Sequence, residues 1–145
     1  MIYDELVTYE VAALAKEKGF PQNTSRFLRD APCRNYYTRK GELNGDCLEI
    51  IQYMIANKTK DIPADIQTVA APTQALLQRW LREERGIIVE VFVDDDSNMP
   101  LTYNIHQYKD WNWECVCHYH DNYYAIFDWE QALEDGLKYA LENLV

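Results

Sequence analysis

A chain of 145 residues with 48% apolar content holds enough hydrophobic material for one ordinary core, which argues against intrinsic disorder and predicts a single domain. The net charge of −10 is unevenly spread: residues 87–145 carry 2 basic and 12 acidic side chains, whereas residues 1–43 carry 7 and 6. The C-terminal part is therefore no phosphate-tracking surface, and its acidity suits either solubility or a basic partner. No apolar stretch approaches the roughly 18 residues of a membrane helix, and the first residues, MIYDELVTYE, are acidic where an export signal is basic. A cytoplasmic location and no membrane association are expected. Cys33, Cys47, Cys115 and Cys117 are then expected to be reduced thiols acting as small core or surface fillers.

In chain order, residues 8–18 read as a helix. Val7, Val11, Leu14 and Lys18 recur at helical spacing with Ala12 and Ala15 beside them, Thr8 as N-cap and Gly19 just past the end. Residues 20–46 are irregular, with a short strand at Asn35-Tyr36-Tyr37-Thr38. Residues 47–57 form a second candidate helix through Leu48, Ile51 and Ile55, and residues 58–71 read as a connection. A helix begins at Ala71-Pro72-Thr73, carries the stripe Leu76, Leu77, Trp80 and Leu81, and ends at Gly86.

From residue 87 the apolar period changes to two. Strands are expected at 87–93, about 101–108, 113–119 and 123–127, with turns at 94–98 and Asp121-Asn122. Asp128 caps a last helix, Gln131 completes a capping box, and Leu133, Leu137, Ala140, Leu141 and Leu144 line its buried face. Gly136 inside that helix costs about 1 kcal/mol against Ala, which points to close backbone packing. The fold class expected is α+β: one domain, helical and irregular over 1–70, then helix, antiparallel meander of about four strands and helix over 71–145. The amphipathic helices gather on one sheet face.

The runs 71–86 (APTQALLQRWLREERG) and 129–142 (WEQALEDGLKYALE), with 10–20 and Asn35-Tyr36-Tyr37-Thr38, resemble small proteins of bacterial prophages and other mobile elements. The resemblance covers most of the chain outside 44–66. It implies a genomic setting and carries over no activity.

Cys115-Val116-Cys117-His118-Tyr119-His120 contains a zinc-ligand inventory. Strand alternation puts Cys115 and Cys117 on one face and His118 and His120 on the other, so one ion cannot collect them, and no metal or cofactor is expected. On the same alternation Trp113, Cys115, Cys117 and Tyr119 face the helices, and Glu114, Val116, His118 and His120 face outward. Asp94-x-Asp96-x-Asn98 begins like a calcium loop but lacks the turn glycine and the closing Glu. Arg26, Arg29, Arg34, Arg39 and Lys40, interleaved with Phe27, Tyr36 and Tyr37, form a candidate nucleic-acid patch, which the overall acidity disfavours.

Nine of the nineteen aromatic residues fall within 103–129. One sheet face must be core, and the remainder form a candidate interface, for which Tyr103, Tyr108, Trp111, Tyr123 and Tyr124 are the named residues. No nucleophile elbow, phosphate loop or HExxH run is present, so catalytic residues are not assigned. The expectation is a non-enzymatic accessory protein that binds an unidentified protein or itself, with nucleic-acid association as the alternative and a metalloprotein or enzyme third.

Overall fold

The structure is a computed structural model, and it describes residues 5–22, 35–37, 43–44, 55–58, 69–93, 101–118 and 128–145. These residues form an α+β fold with antiparallel sheets, in two compact units that divide between Leu76 and Leu77.

In the first unit, helix α1 (Tyr9–Glu17) starts where Thr8 Oγ1 accepts from the Val11 amide at 3.3 Å and stops at Lys18. It buries Val11, Ala12 and Ala15, the small side chains of its apolar stripe, and packs on β3. Strands β1 (Tyr36–Tyr37), β2 (Leu43–Asn44) and β3 (Val69–Ala70) make a sheet in the order β2-β1-β3. The side chain of Gln22 accepts from the Ala70 amide at 2.7 Å, which satisfies a donor that so short a strand leaves over. β3 lies in the stretch that reads as a connection, because two residues are too few to show a period. Of the candidate helix at 47–57, only 55–57 lie among the described residues, and they are helical. Ile55, placed on its apolar stripe from sequence, is instead 61% exposed.

Helix α2 (Gln74–Arg85) begins just after Pro72, with Thr73 Oγ1 accepting from the Leu76 amide at 3.1 Å. It ends at Gly86, whose φ of +63° suits a residue without Cβ. Leu77 and Leu81 are fully buried, while Leu76 and Trp80 sit at the margin of the stripe.

The second unit is built on strands β4 (Ile87–Phe92), β5 (Thr102–Lys109) and β6 (Asn112–His118), antiparallel in that order. Helix α3 (Trp129–Asn143) crosses β4 and β5. Its buried face carries Leu133, Leu137, Ala140 and Leu141 over Ile87, Val89, Val91, Tyr103 and Ile105. Asp128 Oδ1 accepts from the amides of Glu130 and Gln131, so the N-cap forms. The reciprocal half of the expected capping box does not form; the Gln131 side chain reaches forward instead, and its Nε2 donates to Asp135 Oδ1 at 2.9 Å. Gly136 is where α3 comes closest: a Cβ there would lie 2.5 Å from Val89 Cγ1 and 3.1 Å from Tyr103 Cγ.

Gly86 O accepts from Tyr108 N, which sets the hydrogen-bonding parity of β4. Ile87, Val89 and Val91 therefore aim their N–H and C=O groups away from β5. The Val89 carbonyl on that edge accepts from Gln78 Nε2 of α2 at 3.2 Å.

β6 corrects the expected alternation. Ile105 pairs with Cys117 but His106 pairs with Cys115, so Val116 is an extra residue in a β-bulge. Cross-strand partners share a face. Cys117 therefore joins buried Ile105 on the helix-covered side, and Cys115 joins His106 on the open side. Trp113 pairs with Tyr108 on that open side as well and is 46% exposed, not turned inward as strict alternation predicts. The expected turns at 94–98 and 121–122, and the fourth strand at 123–127, lie outside the described residues.

Candidate functional site

β5 and β6 are joined by a two-residue turn, because Lys109 pairs with Asn112 and leaves Asp110 and Trp111 between them. Both take positive φ, +48° and +69°. This is the turn class whose twist matches that of paired strands. Asp suits the first position, but the second ordinarily belongs to Gly, and a bulky side chain there costs about 1–2 kcal/mol. Trp111 nevertheless occupies it and is 88% exposed. Its indole makes up for that strain with no packing of its own.

Below the turn, the rings of Tyr108 and Trp113 meet at 5.2 Å, tilted by 57°. Tyr108 is 44% exposed. Each residue keeps nearly half its surface open to solvent, so the hairpin presents a tip residue and a two-ring ledge. Farther along the open face His106 Nε2 and Glu90 Oε2 are hydrogen-bonded at 2.9 Å. Asp110 and Glu114 are exposed on the same hairpin, with Lys109 as the nearest cation in sequence.

Of the interface residues expected from sequence, Tyr108 and Trp111 are brought together on this hairpin. Tyr103 is not: it is 2% exposed, with its ring against Gly136, and belongs to the core. Tyr123 and Tyr124 lie outside the described residues, as do Arg26, Arg29, Arg34, Arg39 and Lys40 of the basic stretch. Trp113 is the member that sequence reasoning assigned to the wrong side. A bulge leaves no mark in the period of so short a strand.

The bulge also separates the two cysteines. Burial pushes the Cys117 thiol up, with a hydrogen bond from Tyr139 of α3 opposing that shift; the neighbouring thiol in turn raises Tyr139. Cys115 Sγ points to the Cys117 carbonyl at 3.7 Å. Among the described residues no group of three or more His, Cys, Asp or Glu side chains is placed to hold a metal. His118 stands opposite Asn104 in register, and His120 is outside the described residues. Among the described residues no helix is long and apolar enough to cross a membrane.

Comparisons with protein-family models, curated proteins and solved structures give no match to this chain.

Proposed function

We propose that this protein works by binding another protein through the β5–β6 hairpin, as a cytoplasmic, non-enzymatic accessory factor. The observation that carries the reading is Trp111, a large aromatic side chain held in a left-handed turn conformation and 88% exposed. Backbone strain of this kind supports a functional reading when no packing explains it, and Trp and Tyr dominate the energetics of protein interfaces. The ledge of Tyr108 and Trp113 extends the surface. A setting in a prophage or other mobile element rests on the resemblance of residues 10–20, 35–38, 71–86 and 129–142 alone.

Trp111→Gly separates a structural role from a binding one. Glycine adopts positive φ freely, so the variant is expected to melt at the same temperature or higher, by up to about 1 kcal/mol of stability. It is also expected to lose proteins that the wild type retains from a nuclease-treated host lysate. Identical capture by both forms, or a marked loss of stability in the variant, would overturn the reading.

A further inference from the structure

We infer that the surface recognised by this hairpin is cationic: an Arg- or Lys-bearing segment of another protein, seated against Trp111 and the Tyr108–Trp113 ledge. This rests on the protein-binding reading above and names the chemistry of the partner. The first ground is the rings themselves. An aromatic face is the negative pole of a quadrupole and attracts ammonium or guanidinium groups, most strongly for Trp. The same chain already shows that pairing, with the Arg85 guanidinium 5.3 Å from the Trp80 ring centre.

The second ground is charge. Residues 77–145 hold 5 basic and 14 acidic side chains, and the basic ones include Arg79, Arg82 and Arg85 of α2. On the open face Glu90 shares the side of Tyr108 and Trp113, and Asp110 stands in the turn beside Trp111, whereas the register puts Glu114 and the cation Lys109 on the helix-covered side with Gln107. Such a field speeds the approach of a cationic partner and repels polyanions, so a nucleic acid or an anionic membrane is disfavoured at this surface. It also disfavours a second copy of the same hairpin, which carries the same sign. Lys and Arg offer the same attraction here, and Arg adds planar stacking on the indole.

Titration calorimetry of the whole protein tests this, with a short synthetic peptide of alternating arginine and glycine as probe. A peptide with glutamate in place of arginine serves as the control. The arginine peptide is expected to bind saturably at low salt and progressively less as salt rises, and the glutamate peptide not at all. Trp111→Gly should weaken binding by roughly fivefold or more. Asp110→Asn, which keeps a residue tolerant of positive φ, should weaken it and flatten its salt dependence.

Absence of saturable binding overturns the inference. So does equal affinity for wild type and Trp111→Gly, which signifies diffuse attraction to an acidic surface. Sedimentation showing self-association that Trp111→Gly abolishes makes a second copy the occupant instead. Should the arginine peptide fail while Trp111-dependent capture from lysate persists, the cationic partner alone is lost. Should both fail, the hairpin reading falls with it.

Discussion

Asp128 and Asp135 stand two turns apart on α3 and respond to pH in opposite senses. Hydrogen bonding by the Glu130 carboxyl group, and then by the Gln131 amide, holds Asp128 below the usual carboxylate value. Its contribution is present above the unfolded pKa of about 3.9 and is lost as pH falls through the lower folded value. Asp135 is raised, mainly by burial and further by Glu134, against the Gln131 hydrogen bond and Lys138. A raised carboxyl binds its proton more tightly in the folded state, so stability declines as pH rises through the folded value. Asp135→Asn is therefore expected to melt higher than wild type at pH 7, with the gain gone below about pH 4. Asp128→Ala is expected to melt lower at neutral pH, the deficit shrinking in acid. Melting curves across pH read both. The caps at Thr8 and Asp128 were legible because capping is local chemistry, settled within three residues. The positive φ of Trp111 was not, since its side chain belongs to none of the types that favour a turn.

Among the elements, α3 shows how a single sequence irregularity reports on packing. Gly136 interrupts a good helix former, and the structure places Val89 and Tyr103 where its Cβ would stand. Gly136→Ala gains about 1 kcal/mol of helix propensity but overpacks a β-branched core residue, for a net loss of about 1–2 kcal/mol in chemical denaturation. In a Val89→Ala background most of that penalty is expected to vanish, a coupling that a double-mutant cycle isolates. Independent effects that simply add would show that the two residues do not meet. α1, α2, α3 and the long strands β4, β5 and β6 were readable because each repeats its period several times. β2 and β3, at two residues each, repeat nothing. The side assigned to Trp113 failed for a related reason, as Val116 shifts the phase of β6 halfway along and pattern counting assumes a constant phase.

Over the whole molecule the acidic excess is the main long-range term. It belongs to residues 87–145, with 12 acids against 2 bases, so like charges crowd one part of the chain. Adding salt screens repulsion over distances of about 10 Å, and melting temperature at neutral pH is expected to climb with sodium chloride. A fall would show that attractive pairs such as Arg79–Glu83, 3.0 Å apart, outweigh the repulsion. The α+β class was legible at this scale from the switch of period at residue 87. The division of the chain within α2, between Leu76 and Leu77, was not, since the helix runs through it without a break in pattern.

The carboxamide of Gln78 has a consequence for the keeping qualities of the protein. A strand rim with idle amides and carbonyls is a template onto which any extended chain can crystallise, and natural sheets blunt such rims. The outer rim of β4, six residues long, belongs to the β-branched Ile87, Val89 and Val91, and Gln78 occupies the carbonyl at its middle. Gln78→Ala takes that stopper away at little cost to the helix, since Ala is the best helix former. Concentrated solutions of the variant are expected to cloud on storage and to bind thioflavin dye, while the wild type stays clear. If both stay clear for equally long, the rim is guarded by something other than this one side chain.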